Sequence, residues 1–388
     1  MSTRPISLLL VSYSYPPVLG GSEVEAQRVC AALLQRGHRI KALCAGTPHM
    51  PDRATWLDPY GVPLHAFGRD WQVPHRDRLF ALGVAWTLWR ERHSYQLVYF
   101  LMQGLHLAAG LPVTRLCGKP CVMKISGSNI ITMMGESFLG RLELRWLRKW
   151  ARRIMILNPG MAQEAAQAGL PENLLYWMPN PVDTDEFAPC CTEERVSLRL
   201  RLGIAGETPV IVYVGRLAPE KELASLLAAW ALVVRQASTA LLVVVGDGPD
   251  REALTERAKQ LGVEARVHFT GRLPMVAVRQ WLQAADIFTL VSSAEGFPCS
   301  LVEAMSVGLP SVVSDIPANL QLIDQGVHGL CAARDEESIA TAIRELLFDS
   351  TLRMRMGEAA RRRVLENYSM DKVLDRYETL FCETLAHG

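Results

Sequence analysis

The sequence predicts an α/β chain made of two successive domains, each a parallel sheet covered by helices. Apolar, β-rich runs of four to six residues alternate with helical stretches over the whole length, the pattern of a parallel sheet with crossover helices. In the second half these runs end in glycine, often with a charge beside it. A proline-rich, extended segment, Tyr176-Trp-Met-Pro-Asn-Pro-Val-Asp183, separates a first set of such units from a second, as a link between domains does. The 388 residues allow two or three domains. A hydrophobic fraction of 49%, a charged fraction of 21% and a net charge of +1 describe an ordinary globular protein, with no charge excess that names nucleic acid as a partner.

In the first half, Ile6 to Val11 reads as a buried strand and Ser12 to Ser22 as a loop of turn residues containing Gly20 and Gly21. A helix follows from Ser22, a plausible N-cap, to Arg36, with Gly37 as its stop. Ile40 to Cys44 is the next strand, so Gly20 and Gly21 lie at a strand-to-helix turn where backbone can approach a ligand closely. Strands at 97–101 and 120–125 alternate with helices at 77–89 and 105–115. Ser126-Gly-Ser-Asn129 ends the second of these strands, at the carboxyl edge where open α/β sheets place ligands. His106 fits either a packed helix histidine or a polar contact at that edge. Residues 141–153 carry six cations against one Glu. That pattern fits an amphipathic helix lying on anionic lipid, and equally a helix packed on the sheet with a solvated outer face. Ile154 to Leu157 starts another strand.

The second half restarts the alternation after a polar segment from Thr184 to Glu194, in which Asp183-Thr-Asp185 is an isolated D-x-D without neighbouring ligands. Strands at 210–214, 240–245 and 267–270 end in Gly215-Arg216, Gly246-Asp-Gly248 and Gly271-Arg272, with Pro219-Glu-Lys221 and Pro249 opening helices. The stretch 292–310 reads as a strand end, a loop, a helix of about three turns begun by Pro298 and a stop at Gly308-Leu-Pro310. Glu295 sits on the loop and Glu303 in the helix, with the N–H groups of Gly296 and Phe297 between them as an anion site. Arg216 offers a fork and Lys221 a point charge to a phosphate at the same sheet edge. Helices at 336–348 and 352–367 precede a last one that packs back over the first domain.

Taken together, these residues resemble the retaining glycosyltransferases of GT-B fold known as family 4, the glycosyl transferases group 1. The likeness rests on Tyr15-Pro-Pro-Val-Leu-Gly-Gly-Ser-Glu23 with Arg36-Gly-His38, on Pro179-Asn180 with Val182-Asp183, on Val214-Gly-Arg216 through Lys221, on Gly246-Asp-Gly248, on Gly271-Arg272 and on the pair Glu295 and Glu303. It implies two Rossmann-like domains facing across a cleft: an acceptor domain at 1–183, a nucleotide-sugar donor domain at 184–367, and a C-terminal helix at 368–388 returning to the first. By the same resemblance Arg216, Lys221 and Glu295 are catalytic. Gly20, Gly21, Gly215, Gly246, Gly248, Arg272, Gly296, Phe297, Pro298, Leu301 and Glu303 bind the donor, Glu303 taking the ribose hydroxyls. Ser126, Asn129 and His106 face the acceptor. The implied reaction keeps the anomeric configuration, needs no metal or other cofactor, and moves a hexose from a nucleoside diphosphate sugar, UDP-linked by preference, to a hydroxyl on a sugar, polysaccharide or lipid-linked acceptor. The chain departs from the family at Ser126-Gly127, where His-Gly is common, at Glu222 and Pro181, where glycine is usual, and at Gln321, where an acid is common.

A sugar-nucleotide epimerase or phosphorylase on the same fold, and a non-catalytic nucleotide-sugar-binding protein, share these donor residues and stay open at this point. A nicotinamide oxidoreductase is disfavoured, because the first strand-to-helix turn lacks G-x-G-x-x-G. The nine cysteines lack metal-ligand spacing and read as reduced core thiols. The longest apolar run, Leu79 to Trp89, is well short of the ~20 residues of a membrane span, and the opening strand lacks the features of a signal peptide. The expectation is a cytoplasmic protein with peripheral contact at the inner face of a membrane.

Overall fold

The computed structural model describes residues 5–16, 21–46, 50, 55–67 and 75–386. The chain forms two compact units, residues 1–181 with 370–388 and residues 182–369. The passage from one to the other thus falls at Pro181-Val182, inside the expected link and two residues before the expected domain boundary.

The first unit contains β1 (Ser7–Ser12), α1 (Gly21–Gln35), β2 (Arg39–Ala45), β3 (Thr55–Leu57), β4 (Pro63–Phe67), α2 (Arg76–Arg90) and β5 (Leu97–Leu101). It continues through α3 (Leu105–Leu116), β6 (Cys121–Lys124), α4 (Ile130–Glu136), α5 (Phe138–Trp150), β7 (Arg153–Ile156), α6 (Pro159–Gln167) and β8 (Leu175–Trp177). Its eight strands run in the order β3-β4-β2-β1-β5-β6-β7-β8, all parallel except β3 against β4. β1 and β5 are buried almost throughout, as strands covered on both faces must be.

The second unit contains α7 (Thr192–Arg201), β9 (Val210–Val214), α8 (Leu223–Val234), β10 (Leu241–Val245), α9 (Arg251–Gln260), β11 (Val267–Gly271), α10 (Met275–Ala284) and β12 (Ile287–Leu290). It ends with α11 (Cys299–Ser306), β13 (Ser311–Ser314), α12 (Pro317–Leu320), β14 (Gly329–Ala332), α13 (Glu336–Phe348) and α14 (Ser350–Asn367). Its six parallel strands lie in the order β11-β10-β9-β12-β13-β14. A last helix, α15 (Met370–Ala386), belongs to the first unit.

Several boundaries differ from the sequence reading, each for a local reason. The basic helix is α5, which starts at Phe138 because the Ser137 hydroxyl accepts from the Gly140 N–H at 3.0 Å. It ends at Trp150 because Ala151 turns extended. Its inner face carries Glu143, Leu144 and Leu147. Residues 130–136 form α4. Pro219–Lys221 makes a single 3₁₀ turn, stopped by Glu222 in the left-handed region, before α8 begins. Asp183 does not form a metal pair: its carboxylate accepts from the N–H groups of Asp185 and Glu186, at 3.1 and 2.9 Å, and holds a turn. Cys30, Cys44 and Cys121 are buried thiols, whereas Cys191 and Cys382 are exposed.

α15 is tied to the first unit by charge and by a buried polar hub. Arg36 pairs with Asp371, Asp375 and Glu378, and His38 contacts Glu378 at 3.0 Å. Beneath them Lys124, wholly buried at the end of β6, pairs with Glu25 of α1 at 2.8 Å. Its ammonium also donates to the Asn180 side chain at 2.8 Å and to the Tyr377 hydroxyl of α15 at 3.1 Å. Removing one partner of a buried pair strands the other charge. Lys124→Met is therefore expected to lower unfolding free energy in urea by about 3–5 kcal/mol, and Lys124→Met with Glu25→Met to regain most of it; equal losses in both variants would contradict the pairing.

Candidate active site

In the second unit β9 lies beside β12, with β10 on the far side of β9 and β13 on the far side of β12. The winding of the sheet reverses between β9 and β12, which is where an open parallel sheet leaves a crevice at its carboxyl edge. The loops leaving these two strands are joined there: the Ser293 N–H and hydroxyl both donate to the Glu220 carbonyl, at 2.9 and 3.2 Å. Across this seam the Lys221 ammonium donates to Glu295 Oε1 at 2.7 Å, and the Ser292 hydroxyl donates to the same oxygen at 2.7 Å. The pair is largely shielded, with side-chain exposures of 16% and 10%, so its field acts in a medium poorer than water. Arg216 stands at the rim, 65% exposed, paired with Glu220 at 2.6 Å. The Glu220 carboxyl is held below its ordinary range by its own backbone N–H and by Arg216. Burial, with Glu295 and Glu220 nearby, drives the Tyr213 phenol far above its usual range, and the neutral hydroxyl donates to the Arg216 carbonyl at 3.0 Å.

The predicted glycine loops pack against this seam. The Gly215 N–H donates to the Val245 carbonyl and the Leu217 N–H to the Asp247 carbonyl, both at 3.0 Å. A Cβ on Gly246 would come within 1.9 Å of the Gly215 carbonyl oxygen, and one on Gly248 within 2.2 Å of that of Leu217. Both glycines are thus required by one loop's approach to the next. Arg272 is exposed at the end of β11, two strands out from β9. Pro298 is the N-cap of α11, not its first helical residue, and the helix has eight residues, just over two turns. Gly296 and Phe297 consequently belong to the loop before the helix, and the first helical N–H, that of Cys299, donates to the Phe297 carbonyl at 2.9 Å. Leu301 is wholly buried with its N–H on the Pro298 carbonyl, so it supports the turn from within the core. Glu303 is half-buried at the fifth position of α11.

The first unit has its own reversal, between β1 and β5. A pocket of about 320 Å³ opens there, lined by Ser12, Tyr13, Ser14, Glu23, Asp77 and the turn from Leu101 to His106. Met102 and Gly104 both have positive φ, which folds that turn tightly under the start of α3. His106 is buried, and desolvation pushes its imidazole down to about 4 although the Leu101 and Met102 carbonyls favour the charged form. The ring is therefore neutral at physiological pH, and its Nε2 has no hydrogen-bond partner among the described residues. Glu143 reaches this turn from α5 and accepts from the Gly104 N–H at 3.1 Å; burial pushes its carboxyl up to about 7. Ser126 ends up beyond β6 with a buried hydroxyl that has no partner among the described residues, and Asn129 caps α4 in the left-handed region with its N–H donated to Glu164 at 2.8 Å. Gly21 opens α1 with open space around it, while Gly20 lies outside the described residues. Nothing in the sequence singled out Gln103 or Asp77, since only the strand order brings them to one pocket, nor Glu143, which holds the turn at Gly104.

Two family models cover most of the chain, Glycosyltransferase Family 4 over residues 19–186 and Glycosyl transferases group 1 over residues 196–363. A GDP-mannose-dependent α-(1-6)-phosphatidylinositol monomannoside mannosyltransferase of Mycobacterium tuberculosis is 31% identical over 378 residues, covering 94% of this chain and 95% of the relative. This chain belongs to glycosyltransferase family 4. An N-acetyl-α-D-glucosaminyl L-malate synthase of Bacillus anthracis is 25% identical over 376 residues, 95% of each chain. Among solved structures, HepE of Anabaena in complex with UDP superposes with a TM-score of 0.81 at 19% identity, over 97% of this chain and all of that one. The fold is accordingly GT-B, and the protein is a glycosyltransferase. Among the described residues no group of three or more His, Cys, Asp or Glu is placed to hold a metal ion.

One departure from the family pattern now has a conformational meaning. Glu222 stands where glycine is usual and adopts φ +49° and ψ +36°, a conformation that costs a side-chain-bearing residue about 1–2 kcal/mol. Its carboxylate pairs with Arg334 at 3.0 Å in a largely exposed position, worth at most ~1 kcal/mol. Glu222→Gly is expected to leave stability unchanged or raise it by about 1 kcal/mol, and Glu222→Ala to lower it by ~1 kcal/mol, because alanine keeps the strain and loses the pair. Melting curves of the two variants check the order.

Glu143 supplies a pH test. Its proton leaves the unfolded chain near the ordinary glutamate value of 4.5 and the folded chain near 7, so folding loses stability as pH rises through that window and the loss persists above it. Relative to Glu143→Gln, the wild type should lose on the order of 1–3 kcal/mol between pH 5 and pH 8. A constant gap between the two proteins across that range would show that Glu143 carries no such proton.

Proposed function

We propose that the enzyme transfers a hexose, with retention of configuration and without a metal, from a nucleoside diphosphate sugar to a hydroxyl-bearing acceptor. The reading rests chiefly on the Lys221–Glu295 pair at the β9–β12 reversal, with Arg216 at the rim. Breaking the bond from the anomeric carbon to the diphosphate builds negative charge on the leaving oxygen. Preorganised cations stabilise that charge more in the transition state than in the ground state. In this reading Lys221 and Arg216 take the diphosphate, Glu295 orients Lys221 and meets the sugar hydroxyls, and Glu303 takes the ribose. The leaving phosphate accepts the proton of the attacking hydroxyl on the same face of the sugar.

A UDP-linked donor is favoured by the likeness in fold to HepE, crystallised with UDP, although the Mycobacterium relative is named for GDP-mannose. For the acceptor we infer a hydroxyl-bearing sugar, polysaccharide or lipid-linked intermediate held in the pocket of the first unit, and for the enzyme a cytoplasmic location with peripheral membrane contact. Glu23, Asp77, Tyr13 and the neutral His106 line that pocket, an inventory suited to hydroxyl groups. A thermal-shift screen against UDP, GDP, ADP and TDP sugars identifies the donor, since a ligand of the native state raises the melting temperature. With that donor, Lys221→Ala and Glu295→Gln should each lower kcat by about 10²–10³-fold while keeping the wild-type circular dichroism. Undiminished turnover in both variants would remove the assignment.

A further inference from the structure

At the opposite edge of the first unit, where its strands begin, a second pocket of about 400 Å³ lies between the ends of α3 and α5 and the starts of β6 and β7. Arg115, Lys119, Lys149 and Arg152 line it, and no carboxylate does. Among the described residues none of these four cations is in an ion pair or donates a side-chain hydrogen bond; Lys119 rests over the Tyr95 ring at 5.5 Å. Arg115 and Lys149 sit in the last turns of α3 and α5, where the helix dipole favours a cation. Lys119 and Arg152 lie beyond those helices, at the strand entries, and the dipoles do not account for them. Four like charges around one concavity repel one another, and the anion that relieves them is absent from the protein itself.

The surroundings say where that anion comes from. α2 and α3 are crossovers between parallel strands, so both end at this same edge. The last turn of α2 exposes Trp89 by 49%, and that of α3 exposes Leu116 by 75%. On α2 the exposed face continues up the helix through Trp86 and Leu82, while Arg92 lies over the Trp89 ring at 4.8 Å. Exposed tryptophan and leucine beside unpaired cations is the composition of a surface that enters a lipid headgroup layer. We propose that this pocket binds the phosphate of an anionic lipid headgroup, with Trp89 and Leu116 seated in the headgroup region beside it. The site is separate from the donor and acceptor residues and does not depend on which sugar is transferred.

The test is cosedimentation of the full chain with phosphatidylcholine vesicles, with and without phosphatidylglycerol. Binding is expected only to the vesicles containing phosphatidylglycerol and should weaken with salt. Lys119→Ala with Arg152→Ala should lower the partition on the order of tenfold or more, at roughly fivefold per cation, and Lys119→Arg with Arg152→Lys should retain it. Arg141→Ala with Arg145→Ala, the same charge loss on the exposed face of α5, should change it less than about twofold. All variants should keep the wild-type melting temperature and donor-induced shift. Equal binding to both vesicle types, or an equal loss from the α5 pair, would overturn the proposal. So would stabilisation by inorganic phosphate or glycerol phosphate without vesicle binding, which would assign the pocket to a free anion.

Discussion

The pairing of β9 with β12 is the constraint on which the donor-side cluster depends. Ile211 and Val212 of one strand register with Ile287 and Phe288 of the other, although 76 residues separate them (287 − 211). That short ladder makes the loops after the two strands neighbours. It is why Lys221 can reach Glu295 while Arg216 stays within reach of Glu220. Residues from β10 and β11 enter only through the stacked glycine turns, which pass the position of one loop to the next by backbone hydrogen bonds. Had β10 or β13 occupied the place of β12, the same side chains would still line a sheet edge, but Lys221 and Glu295 would no longer share a hydrogen bond. The chemistry of the site therefore rests on strand order more than on any one side chain.

This explains what could and could not be read from the amino acids alone. The alternation of strand and helix, the division near residue 182 and the placement of Arg216, Lys221 and Glu295 at strand ends follow from local composition, because hydrophobic period and glycine position are local quantities. The short strands β3, β4, β8 and β14 were missed because three to five residues carry too little periodicity to register. The start of α11 was placed one residue early because Pro298 is as acceptable at an N-cap as at the first helical position. Lys124 was not foreseen at all. A lysine closing an apolar strand reads as an exposed end, and only the arrival of Glu25, Asn180 and Tyr377 from distant parts of the chain makes it an interior charge.

The glycines illustrate how a correct motif can carry a different cause from the one first assigned. Gly246 and Gly248 suit a phosphate cradle by composition, yet the close approach that excludes a side chain at either is to the carbonyls of Gly215 and Leu217. Glu222 is the converse case, a residue with a side chain at a backbone position that glycine fills more easily, held there by a turn of 3₁₀ helix on one side and α8 on the other. At Gly246 and Gly248 the approach of backbone makes glycine a requirement, whereas at Glu222 the neighbouring elements impose the conformation and the residue type records only a preference.

A net charge of +1 also concealed a separation of charge within the first unit. The pocket at its strand ends is lined by Glu23 and Asp77 with a neutral imidazole, and the pocket at its strand starts by four cations. Parallel topology produces this division, because the ends of the seven parallel strands face one edge and the crossover helices between them end at the other. Glu23 and Asp77 near the starts of α1 and α2 and Arg115 and Lys149 near the ends of α3 and α5 follow the helix dipoles, and the two pockets take opposite signs even though Arg76 and Arg78 also stand in the first turn of α2. Whole-chain electroneutrality thus excludes nothing about partners; what matters is that helices laid in one direction sort their terminal charges to opposite faces, leaving one edge fit for hydroxyls and the other for an anion.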